Sequence, residues 1–411
     1  MSDREFTGFD AETVAVAVRQ PPLGDLRRAA RLRRRRRAAG VGSAVALALG
    51  GTAVAPFAGH GSGVDWAGPD PTDPPADPRV SHLVVLSERS AVAVEEADNG
   101  CRLSFTATTD AGRTWSGWRT NYLDGPCRSD AEGRRTSDVR FTVLDEQRYL
   151  VSIDGSQVVS LDAGLTWRSL ASVATEVRAF PEKARPARCA ESCGAMPRPL
   201  AVDSGTWRVY RLTDAPGEVV PQAVDQADDG ALWLMSPAPD HGAPASVALS
   251  VDRGATWRTS TVPEGVWASS LVAVSAQEAY VLGGTISADP HGERPAGPAR
   301  LLHTTDGGRS WADVGTDLPS TDLVRGITRG ANGALLVGDV TQDGVTSFVW
   351  ISRDGGRHFS RSTRTGNEGT SFGTSRGLVW LADREDPTDA NSVVVHVSAD
   401  GENWSRLTLP R

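Results

Sequence analysis

The sequence predicts an all-β protein built from one repeated four-stranded unit, and three observations lead to that prediction. An octet with a small residue, an aspartate, a glycine and a closing aromatic recurs along the 411-residue chain. Stretches typical of strands, such as RLSFTA and SFVWI, precede the copies. The spacing between copies, roughly 40 to 50 residues, suits a four-stranded blade. The copies are TTDAGRTW (108–115), SLDAGLTW (160–167), SVDRGATW (250–257), TTDGGRSW (304–311), SRDGGRHF (352–359) and a shortened SADGENW (398–404).

Each octet contains the residue types that build a tight hairpin corner. The aspartate can accept backbone N–H groups across a turn, and the glycine, usually two positions later, can adopt a positive φ. The leading Ser or Thr offers another local hydrogen bond, while the aromatic opens the outgoing strand and can cover the turn. The aspartates and aromatics, including a degenerate seventh copy, are Asp110 and Trp115, Asp162 and Trp167, Asp203 and Trp207, Asp252 and Trp257, Asp306 and Trp311, Asp354 and Phe359, and Asp400 and Trp404.

The distances between these aspartates count the units. The steps between the six clear copies are 52, 90, 54, 48 and 46 residues, and one of them is nearly double. The degenerate copy AVDSGTW (201–207) divides that step into 41 and 49. Residues 80–411 number 332, which is about 47 for each of seven units. We therefore predict a seven-bladed β-propeller over 80–411. Six blades, with part of 168–249 as an insertion, is the alternative.

The octet resembles the Asp-box, or BNR, repeat of sialidase-like β-propellers. In that family the box caps the hairpin between the third and fourth strands of a blade, and the resemblance covers most of the chain after residue 80. The boxes of the family lie on the rim, far from the catalytic centre. The resemblance therefore implies that the octet aspartates are structural and are neither acids nor bases in a reaction.

A sialidase mechanism can be checked against the residues that the resemblance implies. The family uses three Arg that grip a carboxylate, a late Tyr nucleophile assisted by Glu, and an Asp acid, which makes it an exception to the usual pair of carboxylates. Its first Arg lies in a Phe/Tyr-Arg-Ile-Pro motif, which neither Arg89 nor Arg102 matches. The tyrosines, at positions 122, 149, 210 and 280, all precede the last two units. We predict no catalytic residue, with a sialidase-like glycoside hydrolase as the alternative.

The N-terminal region is organised differently from the repeats. Residues 1–37 hold ten Arg and five acids, and residues 38–58 contain no charged side chain. Arginines before an uncharged span predict a cytoplasmic tail followed by a transmembrane helix. A secretory signal cleaved before Val54 is the rival interpretation. The Gly, Pro and Asp-rich residues 59–79 are a spacer, because such a segment buries too little apolar surface to fold.

The chain has four cysteines, and all of them follow the uncharged span. They fall as two close pairs, Cys101 with Cys127 and Cys189 with Cys193. In an oxidising compartment this predicts two local disulfides. A zinc site is disfavoured, because no His lies near these cysteines, and the sequence indicates no other metal or cofactor site.

These observations favour a binding or assembly module held outside the cytoplasm at the cell membrane, or secreted if the signal is cleaved. The chain has an Asp box in nearly every predicted blade and lacks the catalytic residues of sialidases. In this it resembles the propellers of photosystem II stability factors and sortilin-type receptors. The resemblance implies that the partner is an envelope or secreted protein, or a glycan. The net charge of −8, less the +5 of residues 1–37, leaves −13 on the remainder, which favours a basic partner surface. The arginine-rich segment before residue 38 is interpreted as the signal that orients the chain in the membrane, and it can contact anionic lipid headgroups. Nucleic-acid binding by this segment is disfavoured.

Overall fold

The structure is a computed structural model, and its described residues form seven four-stranded sheets. The prediction of an all-β chain with seven units is confirmed, and the six-unit alternative is wrong. None of the helices in the described part is long and apolar enough to span a bilayer. The structure describes residues 80–97, 102–120, 138–188, 198–203, 205–216, 223–236, 244–286, 295–319, 326–341, 346–367, 372–385 and 393–410. The predicted cytoplasmic tail, transmembrane helix and spacer lie outside these residues, and so do the four cysteines.

Each sheet is a blade made from one continuous stretch of chain, and blades 1 and 2 are antiparallel meanders. Their strands are buried along much of their length because neighbouring blades cover both faces. Blade 1 contains β1 (His82–Val85), β2 (Ala91–Ala97), β3 (Arg102–Thr108) and β4 (Arg119–Thr120), and blade 2 contains β5 (Val139–Val143), β6 (Tyr149–Ile153), β7 (Ser156–Ser160) and β8 (Arg168–Ser169), followed by helix α1 (Leu170–Val173).

Blades 4 to 7 repeat the same meander. The irregularities in their registers lie in blades 5 and 6. Blade 4 contains β13 (Ala223–Gln226), β14 (Leu232–Ser236), β15 (Ser246–Ser250) and β16 (Arg258–Thr261), and blade 5 contains β17 (Val266–Ala273), β18 (Ala279–Ile286), β19 (Pro295–Thr304) and β20 (Ala312–Asp313). Blade 6 contains β21 (Gly326–Arg329), β22 (Leu335–Val340), β23 (Ser347–Ser352) and β24 (Ser360–Gly366), and blade 7 contains β25 (Phe372–Ser375), β26 (Leu378–Arg384), β27 (Val393–Ser398) and β28 (Ser405–Thr408).

Blade 3 departs from this order. Its strands are β9 (Thr175–Val177), β10 (Ala184–Pro186), β11 (Leu200–Asp203) and β12 (Arg208–Leu212), but they lie in the order β10-β11-β12-β9. The first strand of the blade therefore sits at its outer edge, where it pairs in parallel with β12. The degenerate octet still caps the hairpin between the third and fourth strands in chain order, as the resemblance implies.

The hydrophobic core is divided into layers between successive blades. The side chains of blades 4 and 5 share one cluster, those of blades 5 and 6 another, and those of blades 6 and 7 a third. A further cluster joins Val85 and Ala91 of blade 1 to Val395 and Leu407 of blade 7. Because the last blade packs on the first, the seven sheets form a closed set, which is consistent with a seven-bladed propeller.

The first strands of blades 4 to 7 adjoin one another. Side-chain oxygens on three of these strands accept from N–H groups of the next blade. Asp225 accepts from Ala273 (2.9 Å), Ser270 from Ile327 (3.2 Å), and Thr328 from Gly377 (2.8 Å) in the turn after β25. In an antiparallel meander the turn after the first strand and the turn after the third lie at the same edge. We call this edge, which carries the octets, the octet edge.

Candidate functional site

The octet corners share one hydrogen-bond arrangement, which the first corner illustrates. The Thr108 hydroxyl donates to Asp110 Oδ1 (2.9 Å) and accepts from the N–H of Gly112 (3.0 Å). Asp110 also accepts from the N–H (2.9 Å) and the hydroxyl (2.7 Å) of Thr114. Both carboxylate oxygens are thus occupied by donors inside the corner.

The other five clear octets repeat this pattern with small substitutions. His358 replaces the second hydroxyl in blade 6, where its Nδ1 lies 2.6 Å from Asp354 Oδ2. In blade 7, Asn403 makes the equivalent contact with Asp400. The corners are Ser160–Asp162–Gly164–Thr166, Ser250–Asp252–Gly254–Thr256, Thr304–Asp306–Gly308–Ser310, Ser352–Asp354–Gly356–His358 and Ser398–Asp400–Gly401–Asn403.

These donors keep the octet carboxyls ionised. The backbone and side-chain hydrogen bonds from Thr114 lower the pKa of Asp110 from 3.8 to about 2. The hydrogen bonds from Ser310 lower the pKa of Asp306 further. A carboxylate that is stabilised in its charged form by in-corner donors is poorly suited to exchange protons with a substrate.

The backbone of the corner contains a feature that the sequence did not indicate. The glycine two positions after the aspartate has the expected positive φ, for example +80° at Gly112. The residue between them also has a positive φ, even where it is not glycine: 64° at Ala111, 58° at Ala163 and 61° at Arg253. Blades 5 and 6 place Gly307 and Gly355 there.

The closing aromatics contact different groups in different corners. The indole N–H of Trp167 donates to Gly164 of its own corner, whereas the indole N–H of Trp257 donates to the Asp214 carbonyl of the preceding blade (3.0 Å). In the degenerate corner, Asp203 accepts from backbone N–H groups, and Trp207 is half exposed with Arg148 stacked on its ring at 4.4 Å.

A cavity of about 290 Å³ lies where the first strands of blades 4 to 7 reach the octet edge. The turns that follow three of these strands contribute Asp228, Gly330 and Arg376 to its lining. Arg188, just after β10, adds a side chain from blade 3. Apart from Ala399, no octet residue is among the described residues of the lining, so the predicted octet residues lie outside the cavity.

Among the described residues that line this cavity, three arginines and two aspartates carry a charge. The charges of Asp145 and Glu146 of blade 2 also act on Arg376. Arg188 lies 3.7 Å from Asp225 through Nε and donates to the Gln226 carbonyl (2.7 Å). Arg329 pairs with Asp228 at 2.6 Å. Arg376 donates to the Leu144 carbonyl of blade 2 (2.9 Å), and none of the described carboxylates lies within ion-pair distance of it.

The aspartates and arginines perturb one another. Burial raises the pKa of Asp225, and the charge of Arg188 opposes that rise. Burial, and next the charge of Arg188, lower the pKa of Arg376. Two cationic side chains are therefore held near each other in a partly enclosed site.

The comparisons with known proteins give likenesses among solved structures. No family model matches the chain, and no curated protein matches it. A polysaccharide lyase, an ulvan lyase, is 10% identical with a TM-score of 0.42, over 80% of this chain and 94% of that one. YCF48 from Cyanidioschyzon merolae is 12% identical with a TM-score of 0.40, over 82% and 97%. The Hadza microbial sialidase Hz136 is 14% identical with a TM-score of 0.36, over 80% and 65%. Likenesses at this level carry no argument about function.

The described tyrosines do not supply a nucleophile to the cavity. The Tyr149 hydroxyl donates to the Glu146 carbonyl, and the Tyr280 hydroxyl to Glu278 (3.2 Å). Burial raises the pKa of Tyr280 to about 12. Tyr210 is buried within blade 3. None of these three residues is among the described residues that line the cavity.

Proposed function

We propose that the protein is a non-catalytic binding module for a protein or a glycan. The observation that carries this proposal is that both carboxylates among the described lining residues accept from donors of the protein. Asp225 accepts from the N–H groups of Gln226 (2.8 Å) and Ala273 (2.9 Å), and Asp228 pairs with Arg329. A buried carboxylate held by two N–H groups, as Asp225 is, can orient a ligand, whereas general acid–base chemistry needs a carboxyl that exchanges a proton with the substrate.

We further propose that the octets are Asp boxes of the BNR type. The shared hydrogen-bond set of six corners supports this assignment, as does the position of each corner between the third and fourth strands of its blade. Corners of this kind give a rigid frame from which loops can project. Recognition by loops on a rigid scaffold is how many β-folds bind their partners.

The proposed location is the cell membrane, with residues 80–411 outside the cytoplasm. The support is the order of the Arg-rich residues 1–37, the uncharged residues 38–58 and the spacer 59–79. We also retain two disulfides, Cys101 with Cys127 and Cys189 with Cys193, as proposals. A partner with a basic surface would complement the net acidity after residue 37.

The absence of catalysis is tested with the purified full-length protein. We expect no turnover of a fluorogenic sialoside and no release of unsaturated sugar from uronic-acid polysaccharides. An array of acidic and neutral oligosaccharides then tests glycan binding. Turnover that disappears in Asp225→Asn and persists in Glu264→Gln, an exposed carboxylate removed from the cavity, would overturn the proposal.

A glycoside hydrolase of the sialidase-like class is the second candidate. Two observations favour it: the three arginines of the cavity, and the burial that raises the pKa of Asp225, which is the direction a general acid requires. If this candidate were correct, Asp225→Asn would abolish turnover while leaving binding of the sugar intact.

The proposed location has its own test. After lysis of the producing cells, the full-length protein should sediment with membranes and resist alkaline extraction. Protease added to intact spheroplasts should degrade the propeller, and mass should fall by two hydrogens for each disulfide relative to the reduced protein. Recovery of an intact, unprocessed protein in the soluble fraction of the cytoplasm would contradict it.

A further inference from the structure

We propose that Arg376 is a latch, meaning a side chain that holds the closed set of blades shut at the seam where blade 7 packs on blade 1, and that the set opens first at this seam when the latch is released. Such a latch would act whatever the protein binds, so it goes beyond the proposed function. Four observations support it: the course of the chain, the blades that Arg376 joins, the hydrogen bonds at the other junctions, and the charges around the guanidinium.

The seam is the junction that the chain itself does not hold together. At each of the other six junctions between consecutive blades, the chain runs from the last strand of one blade to the first strand of the next. This covalent connection keeps separated blades at a high effective concentration. At the seam, β28 closes blade 7 and β1 opens blade 1, so no such connection joins the two blades. Only non-covalent contacts oppose separation there.

The hydrogen bond of Arg376 crosses this seam. Arg376 lies in the turn between β25 and β26 of blade 7, and its guanidinium donates to the carbonyl of Leu144 (2.9 Å), which follows β5 of blade 2. Blade 1 lies between these two blades, because its side chains pack on blade 2 on one side and on blade 7 on the other. The bond therefore ties blade 7 to blade 2 over blade 1.

The first strands at the seam lack a link that the three preceding junctions possess. At the junctions of blades 4 and 5, 5 and 6, and 6 and 7, a side-chain oxygen of one first strand accepts from an N–H of the next blade. Within the described part of the chain, no hydrogen bond joins β25 to β1. The described bonds between blades 7 and 1 lie at β28 instead, where Ser405 donates to Glu88 (3.4 Å). Arg376 therefore supplies the missing hold at the inner end of blade 7.

The charges of blade 2 attract the guanidinium. Burial, and next the charge of Arg188, lower the pKa of Arg376, and the charges of Glu146 and Asp145 oppose this effect. These two acids directly follow Leu144 in the turn between β5 and β6. The positive charge is thus balanced by the same turn that supplies the accepting carbonyl. A hydrogen bond with an ionised donor is stronger than one between neutral groups.

The turn that carries Arg376 offers two complementary variants. Arg376 has a φ of 52° and Gly377 a φ of 82°, and a hairpin turn with two left-handed residues prefers Asn-Gly. Arg376→Asn therefore removes the latch and favours the turn. Arg376→Met removes the donor but keeps a long side chain and the cost of a positive φ. Opening of the seam in both variants would thus come from loss of the latch and not from a change in the turn.

Arg329→Met is the matched control. Arg329 lines the same cavity and also skips a blade, because it pairs with Asp228 of blade 4 (2.6 Å) from its place in blade 6. The blades that this pair spans are already joined by the chain and by the bonds from Ala273 to Asp225 and from Ile327 to Ser270. Its loss should not affect the seam.

Hydrogen–deuterium exchange of the full-length protein, measured by mass spectrometry, tests the latch. In Arg376→Met and in Arg376→Asn, we expect exchange to rise at least about fivefold in β1, β2, β27 and β28, the strands that pack at the seam, as for loss of one hydrogen bond on local opening. Exchange in β14 of blade 4 should match the parent. Arg329→Met should leave the four seam strands unchanged.

Three results would overturn the latch. The first is seam exchange equal to that of the parent in both Arg376 variants. The second is a uniform rise in all seven blades, which would show a general loss of stability. The third concerns Arg376→Lys, which keeps a cation able to donate to the Leu144 carbonyl and should restore part of the protection; exchange as fast as in Arg376→Met would assign the effect to packing. None of these measurements involves a ligand, so the proposed function can fail separately.

Discussion

The indole N–H of Trp115 donates a hydrogen bond to the main-chain carbonyl of Thr408 (3.1 Å), which lies 293 positions away in the sequence. The N–H of Thr408 in turn donates to the Ala111 carbonyl (3.1 Å). Gly112 lies so close to Thr408 that a Cβ there would clash with the Thr408 carbonyl oxygen. The octet corner of blade 1 is therefore seated on the last strand of blade 7, and it joins the two ends of the set of blades.

Trp115→Phe should weaken this junction. The phenyl ring keeps most of the apolar contact but leaves the Thr408 carbonyl without its donor, and loss of such a bond costs about 1 kcal/mol. We expect a lower midpoint in urea denaturation and faster amide exchange in β28.

Trp167→Phe is the control for that prediction. The indole of Trp167 donates to Gly164 within its own corner, so its loss should leave exchange in β28 unchanged. Equal exchange rates for β28 in Trp115→Phe and the parent would contradict the role of Trp115 at the junction.

Ala163→Gly should stabilise the protein. Ala163 has a φ of 58°, which costs an L-residue about 1–2 kcal/mol, whereas glycine loses only about 0.5–1 kcal/mol through its greater freedom when unfolded. The expected gain is therefore about 0.5–1 kcal/mol in the free energy of unfolding, measured by urea denaturation. Ala255→Gly, in the octet of blade 4 but not among the residues with positive φ, should instead destabilise. A loss of stability in both variants would show that the turn carries no relievable strain.

The octet carboxylates should make the protein sensitive to strong acid. The pKa values of Asp110 and Asp400 lie at about 2 in the folded protein, below the ordinary 3.8. Because the folded pKa is depressed, the stabilisation is complete above about pH 4 and is lost as the pH falls through about 2. Urea midpoints between pH 5 and pH 1.5 measure this loss. Asp110→Asn should reduce the fall of the urea midpoint with falling pH. An equal fall in Asp110→Asn and in the parent would refute the linkage.

His358 should add a second pH dependence of the opposite sign. The hydrogen bond and charge of Asp354 raise the pKa of His358 above the ordinary 6.5. Its stabilising contribution is therefore complete below about pH 6.5 and is lost as the pH rises through the higher folded value. His358→Thr restores the hydroxyl of the other corners, and its thermal midpoint should vary less between pH 6 and pH 9. An NMR titration of the imidazole with a midpoint at or below 6.5 would disprove the shift.

Much of the architecture could be predicted from the sequence because the octet marks one corner of every blade. The spacing of the aspartates located even the degenerate corner at Asp203, which lacks the leading hydroxyl since Ala201 occupies its place. The displacement of β9 could not be predicted, because its three residues carry no pattern that distinguishes an inner strand from an outer one. Parallel pairing with β12 depends on tertiary contacts rather than on local sequence.

The candidate site was less predictable than the fold. The cavity arginines, Arg188, Arg329 and Arg376, are spread over more than 180 positions and share no motif. Because almost all basic residues of the chain are arginines, none of the three stands out in the sequence. The positive φ at Ala111 and Ala163 is not evident from the sequence either, because alanine gives no sign of a left-handed backbone. The glycines at positions 307 and 355 could have suggested it, since they occupy the same place in their octets.

Every blade is built from one uninterrupted stretch of chain. The first and last blades are joined by the contact of an octet corner rather than by a shared strand, so the closed set of blades does not depend on which blade comes first in the sequence. A linker between residues 410 and 80, with new termini opened in the connection between two neighbouring blades, would cut no sheet. A circularly permuted chain with the same seven blades could therefore start at any one of them.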